Sequence, residues 1–319
     1  MDITPATPKR KPMRWIAAYV GTGTVALYIV LTLGVNLYSW HGPLVRTIVR
    51  FVPVPVATIG WQVVWASDVL EQRAALAIFN DYQASQQIPA ADTTSDVMAA
   101  ALTKTMKDLV IQRLVDSREL KITDQDVDAA FTTLVGQGTS DDEVKKNLED
   151  LYGWTTDEFK KFVISQDLAR DRLRESYAFD DALTADLKKQ IDAVRAEISA
   201  DGANFAELAT KYSQDDYGAS GGDIGFVPRG ALVKELDDVA FSLELNQVSD
   251  VIRTKYGFHI IQAIERQGEG ESLETKLRSI FIAAPSVDEA TIKYLADRKI
   301  RILLKAVKWD SQLAAAVVR

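Results

Sequence analysis

The sequence predicts an α+β protein preceded by one membrane-length helix. Three observations point there. No charged residue occurs from Trp15 to Trp40. Through the next part of the chain, apolar residues recur at helical spacing behind marked helix starts. The pattern then changes. Glycines cluster at Gly221, Gly222 and Gly225, and strand-like segments follow at 258–266 and 275–285.

The charge-free run exceeds the roughly 20 residues needed to cross a hydrocarbon core. Trp15, Tyr38 and Trp40 stand at its ends, where amphipathic rings favour the membrane interface. Lys9, Arg10, Lys11 and Arg14 precede it and favour a cytoplasmic N-terminus, an asymmetry weakened by Arg46 and Arg50. A cleaved signal peptide would carry a shorter apolar run ending in a small-x-small site. A lipid anchor would need a cysteine, and there is none. The expected order is a cytoplasmic tail over 1–14, a single-pass transmembrane helix over 15–40 and extracytoplasmic domains beyond. Residues 41–60 read as a juxtamembrane connector, because Arg46 and Arg50 would be costly in a bilayer.

The chain has 319 residues, of which 47% are apolar and 26% charged, enough to bury cores in about two domains. The net charge is -8 and the pI about 5.0. That excludes nucleic acid as the expected partner, since phosphate binding needs clustered Lys and Arg. Without cysteine there is no disulfide framework, thiolate nucleophile or Cys-based zinc site. Histidine occurs only at His41 and His259, which gives little support to a metal site or a hydrolytic triad. No cofactor and no metal are expected.

Residues 61–178 read as a helical lobe. Leu102, Met106, Leu109, Val110 and Leu114 recur at helical spacing. Ser140 with Glu143 and Thr155 with Glu158 fit the capping box, and Thr123 with Asp126 is a weaker version. Gly136 and Gly138 punctuate the segment between two helices, and Trp154, Phe159 and Phe162 supply aromatic bulk. Periodicity alone implies a helical bundle and no chemistry. The order LVIQRLVDSRELKITDQDVDAAF, then LYGWTTDEFKKFVISQDLARDRL, resembles the chaperone lobe of the foldases SurA and PrsA. That resemblance implies a surface that holds unfolded client chains.

Residues 179–285 carry the sharpest signal. Leu183, Leu187, Ile191, Val194 and Ile198 form one helical stripe. There follow Phe205, Leu208 and Ala209, Tyr212-Ser213, Gly221-Gly222-Asp223-Ile224-Gly225, Ala240-Phe241 and Tyr256-Gly257-Phe258-His259-Ile260-Ile261. The glycines permit positive φ and close backbone approach, and the Gly-Lys-Ser/Thr ending of a phosphate loop is missing. This ordered set resembles the parvulin family of peptidyl-prolyl cis-trans isomerases. The resemblance implies a four-stranded antiparallel sheet with helices, and rotation about X-Pro amides without covalent chemistry. It also implies, position by position, a polar catalytic set of Asp215, Thr254, Tyr256, His259 and Ser279. The proline seat would be Ile224, Leu232, Leu236 and Phe226. Leu236 stands where an aromatic residue is common, Tyr256 is bulkier than the usual small hydroxyl residue, and Ser279 replaces a histidine. His259 reads equally as a structural histidine, and Asp215 as a loop cap.

Parvulin domains open with a strand of the type Arg-His-Ile-Leu-Val, and none precedes Leu183. Arg278-Ser279-Ile280-Phe281-Ile282 matches it after the domain instead. A hairpin from 258–266 through the Gly268–Gly270 turn into 276–283 would fill the gap in a circularly permuted domain. The other reading is the start of a decayed second repeat. Residues 286–319, opened by Ser286 and Glu289, read as a C-terminal helix returning to the helical lobe, with Trp309 in the contact. The implied partners are unfolded exported polypeptides with X-Pro bonds, and the membrane through 15–40. Two functions remain open at this point: an active isomerase, or a holdase that binds proline segments without useful turnover.

Overall fold

A computed structural model describes residues 14–86, 96–136, 140–199 and 201–319; for 14–24 and 271 only the backbone is described. The expected basic tail, the Trp15 side chain and Gly138 lie outside the described residues. Along the chain run α1 (Arg14–Tyr38), α2 (Pro43–Val49), β1 (Pro55–Ile59), β2 (Gln62–Trp65), α3 (Ala66–Ser85), α4 (Val97–Ser117), α5 (Asp124–Val135), α6 (Asp141–Tyr152) and α7 (Thr156–Phe159). A π turn, Lys160–Ile164, leads into α8 (Ser165–Ala178) and α9 (Asp181–Glu197). Then come α10 (Phe205–Tyr212), β3 (Asp223–Pro228), α11 (Lys234–Ser242), β4 (Ile252–Thr254), β5 (Gly257–Gln267) and β6 (Glu274–Ala283). The chain closes with α12 (Val287–Ala296), β7 (Ile300–Ile302), β8 (Val307–Asp310) and β9 (Ala315–Val318).

These elements form two units. The first gathers the described residues up to Val110 with Thr132–Phe162 and Tyr294–Arg319; the second is Ile111–Phe131 with Val163–Lys293. The expected 61–178 lobe is therefore divided. Ile111 and Val115 at the end of α4 pack on Ala169, Leu173 and Tyr177 of α8 and on Val287, all in the second unit. An amphipathic pattern says that a face is buried but not which partner buries it.

In the first unit β1 is the middle strand of a sheet ordered β2-β1-β7. Val56, Ala57 and Ile59 on β1 and Val64 on β2 are buried. Stacked rings link Phe79 on α3, Tyr152 on α6, Trp154 and Phe162. The Thr155–Glu158 capping box is complete: the Thr155 hydroxyl accepts the Glu158 N–H at 3.2 Å, and the Glu158 carboxylate accepts the Thr155 N–H at 2.9 Å.

Three expectations in this unit need correction. First, the charge-free segment is helical as α1, but its C-terminal end packs on protein. Leu31, Val35 and Asn36 are buried, Asn36 donates to the Pro55 carbonyl at 3.1 Å, and Tyr28 donates to that of Pro53 at 3.2 Å. Among the described residues no helix is long and apolar enough to cross a membrane. Second, the 41–60 connector is part of the fold. α2 is fastened by Arg46 and Arg50 to buried Glu71, and β1 lies inside the sheet. Third, the C-terminal segment is helical only over α12. Ile300–Ile302 pairs antiparallel with Ala57–Ile59, and β8 with Trp309 pairs with β9. Isolated apolar pairs such as Ile300 and Ile302 fit a strand as readily as a helix turn.

The second unit is built on an antiparallel sheet ordered β3-β6-β5-β4. β6 is interior: it pairs with β5 from Glu274 to Ala283 and with β3 from Glu274 to Arg278. Opposite residues share a face and successive residues alternate. Phe258, Ile260, Ile280 and Ile282 therefore point to one side, where Ile191 and Val194 of α9 and Phe205 and Leu208 of α10 cover them. Leu183, expected on the α9 stripe, is exposed. The other face presents His259, Ile261 and Ala263 of β5 beside Phe281, Ser279 and Leu277 of β6. α11 lies over its apolar part through Leu236 and Ala240.

Candidate functional site

Sheet register assembles the site. His259 faces Phe281 directly across the β5–β6 ladder, and their rings stack with centroids 4.6 Å apart. β4 turns into β5 at Lys255-Tyr256, which brings Thr254 beside His259. Thr254 is fully buried and His259 nearly so. The Thr254 hydroxyl oxygen lies 3.0 Å from His259 Nε2 and accepts the Tyr256 N–H at 3.1 Å. The hydroxyl proton has two acceptors in reach: the ring nitrogen at 3.0 Å and the Gly257 carbonyl at 3.4 Å. The contact orients the imidazole whichever ring nitrogen carries the proton. Burial depresses the imidazole to a pKa of about 4, so the ring is neutral at neutral pH.

Asp215 reaches the site through Ser213. The Ser213 hydroxyl donates to Asp215 Oδ1 at 3.0 Å and accepts the Phe281 N–H at 2.9 Å. Among the described residues no hydrogen bond joins Asp215 to His259. The loop between α10 and β3 acts as a substitute strand along β6 beyond the end of β3. Gln214 N–H donates to the Phe281 carbonyl at 2.8 Å, and Ser279 N–H donates to the Gly222 carbonyl at 2.8 Å. Gly222 has φ +79°, and a Cβ there would sit 2.3 Å from the Ser279 carbonyl oxygen. This close approach is why the loop carries glycine at that position.

The apolar seat lies on the same face of the sheet. Leu236 is buried with Val227, Ile261 and Leu277, and half-buried Ile224 and Leu232 pack against that cluster. Asp237 anchors the connecting loop by accepting the Gly230 N–H at 2.7 Å. Ile224 joins because β3 bulges between Asp223 and Gly225.

Thr254, His259 and Ser279 thus converge on one face with Ile224, Leu232 and Leu236, and Asp215 is tied in through Ser213. Ser279 lies opposite Ile261, two pairs along from His259 and Phe281. Tyr256 contributes its backbone N–H, while the residue is 43% exposed and its ring centroid lies 5.4 Å from the Arg174 guanidinium. Phe226 does not join them. It lies opposite Lys276, on the far side of the strand from Val227 and Leu277, because alternation turns successive residues to opposite faces. Phe281 and Ser213 were not among the expected site residues. Alternation from Ser279 places Phe281 on the same face, so that signal was readable once the strand was recognised; the role of Ser213 was not.

Residues 173–265 match the rotamase family described as the PPIC-type PPIase domain. The foldase protein PrsA of Geobacillus sp. (strain WCH70) is 28% identical over 233 residues, covering 62% of this chain and 78% of that protein. PrsA of Bacillus subtilis is 25% identical, covering 67% and 78%. The chaperone SurA of Dechloromonas aromatica is 39% identical over 90 residues, covering 28% of this chain and 20% of that protein. Among solved structures, peptidylprolyl isomerase PrsA from Bacillus anthracis is 21% identical over 60% of this chain and 86% of that one, with a TM-score of 0.20, too weak a likeness to carry an argument. Residues 173–265 thus carry a peptidyl-prolyl cis-trans isomerase domain of the PPIC, or parvulin, type, in a chain similar to the PrsA foldases and SurA chaperones.

Proposed function

We propose that this chain is a membrane-anchored, extracytoplasmic foldase that rotates X-Pro bonds in unfolded exported proteins at the His259 face of the β3-β6-β5-β4 sheet. The observation that carries the reading is the buried Thr254–His259 pair, stacked on Phe281 and sharing its face with Leu236, Leu232 and Ile224. Rotation about the amide is opposed by a barrier of about 18–20 kcal/mol, because twisting breaks resonance. A twisted amide concentrates its lone pair on the proline nitrogen and lowers the polarity of its carbonyl. An environment that seats the proline ring apolarly and meets the carbonyl with few, preorganised polar groups favours that state over the planar one. A neutral His259 held by Thr254 supplies shape and orientation without a charge that would bind the planar amide more tightly. Asp215 faces the carbonyl, and Ile224, Leu232 and Leu236 seat the ring.

The expected strand replacement supports a circularly permuted domain: β6 follows the matched region in the chain and lies between β3 and β5 in the sheet. Anchoring by α1 is supported by the charge-free run and by the exposure of Val25, Leu27, Ile29 and Val30. The first unit would hold the client.

Exchange of cis and trans forms of a proline peptide, followed by NMR with the full chain in detergent, tests the reading. Acceleration that is lost in Asp215→Ala and His259→Ala supports it. A second reading is favoured by Ser279, which stands where the family carries a histidine and lies opposite Ile261 rather than His259. Under it the domain binds proline segments without useful turnover. Unaccelerated exchange together with measurable peptide binding would select that reading.

A further inference from the structure

A cavity of about 200 Å³ adjoins the site, between α8, the Tyr256 turn and the β6–α12 connection. Phe281 and Tyr256 both line it, so it shares one wall with His259, on which Phe281 stacks. We propose that this cavity is a client subsite for a side-chain carboxylate next to the proline, and that Arg174 determines the preference. The inference rests on the isomerase reading of the same site and specifies which clients it favours.

Arg170 and Arg174, one turn apart on α8, line the cavity with Pro285 and Asp288. The Arg174 guanidinium lies 5.4 Å from the Tyr256 ring centroid, and the Lys255 ammonium lies 5.5 Å from the same centroid. Asp171 accepts from Arg174 at 2.8 Å and from Lys255 at 2.9 Å, and Asp288 accepts from Arg170 at 2.9 Å. Two cations, Arg170 and Arg174, thus line the cavity with one carboxylate, Asp288. The carboxylate side chains of Asp171 and Asp288 are 43% and 73% exposed, and ion pairs so exposed are weak enough to exchange for an incoming carboxylate. An arginine fork accepts such a group in a bidentate manner, and the flanking rings of Tyr256 and Phe281 remove water from one side. A lysine side chain from a client would meet Arg170 and Arg174 and be disfavoured.

The test uses the full chain in detergent with three fluorescein-labelled proline peptides that differ only in Glu, Gln or Lys beside the proline, each residue placed before or after it. Affinity is read by anisotropy and turnover by exchange NMR. The Glu peptide is expected to bind about three- to five-fold more tightly than the Gln peptide in one of the two placements. That ratio should fall toward one in Arg174→Ala, remain above one in Arg174→Lys, and shrink for the unsubstituted protein as salt is raised. Equal affinities for the Glu and Gln peptides in both placements would overturn the proposal, as would a Glu preference that survives Arg174→Ala. The salt series needs no variant, so a misfolded substitution does not remove the test. Absence of turnover with the Glu preference intact would reject the isomerase reading while leaving the subsite standing.

Discussion

His259 Nε2 sits 3.0 Å from the Thr254 hydroxyl, with both residues buried at the β4–β5 end of the sheet. Removing that hydroxyl leaves the ring nitrogen and the Tyr256 N–H without their partner. Thr254→Val conserves shape and is expected to cost about 1–3 kcal/mol in urea unfolding, with a drop in isomerisation rate. Thr254→Ser should recover most of both. Equal stability of the Val and Ser forms would mean that the hydroxyl carries no weight.

The buried imidazole also predicts an acid-sensitive fold. Its folded pKa of about 4 lies below the ordinary value of 6.5, so the unfolded chain binds the extra proton between those values. Stability from this group is complete above pH 6.5, declines as pH falls toward 4, and is lost below it. The loss amounts to about 3 kcal/mol, because displacing a pKa by one pH unit is worth roughly 1.4 kcal/mol. Urea midpoints measured from pH 7 to pH 4 should therefore fall more steeply in the native chain than in His259→Gln.

Gly222, just before β3, and Gly225, within it, should respond differently to alanine. At Gly222 a Cβ would overlap the Ser279 carbonyl at 2.3 Å, whereas at Gly225, with φ +84°, nothing lies within 4 Å. Gly225→Ala should cost only the left-handed backbone, about 1–2 kcal/mol. Gly222→Ala adds a backbone clash and should cost clearly more, with β6 amide signals shifted in NMR spectra.

The region matching the isomerase family ends at residue 265, before β6 begins. A chain truncated after Gly268 keeps every matched residue but loses the interior strand and the Phe281 partner of His259. It is expected to lose the cooperative unfolding transition of the second unit. A native-like proline exchange rate in that fragment would contradict the role given to β6.

Thr254, His259, Ile224, Leu232 and Leu236 were implied by the resemblance to the parvulin family, and the local signals lay in the sequence: the glycine loop, the capping pairs and the strand pattern of 275–285. These are readable because backbone φ, helix starts and two- or 3.6-residue periodicity depend on near neighbours. Other features were decided only by tertiary packing: the division of 61–178 between two units, the burial of Leu31, Val35 and Asn36, the strand at Ile300–Ile302, the Ser213 link to Phe281 and the turning away of Phe226. Each depends on a partner far along the chain, as Ser213 and Phe281 are 68 positions apart. Periodicity states that a face will be buried, and only hydrogen-bond register and burial between distant segments choose the surface that buries it.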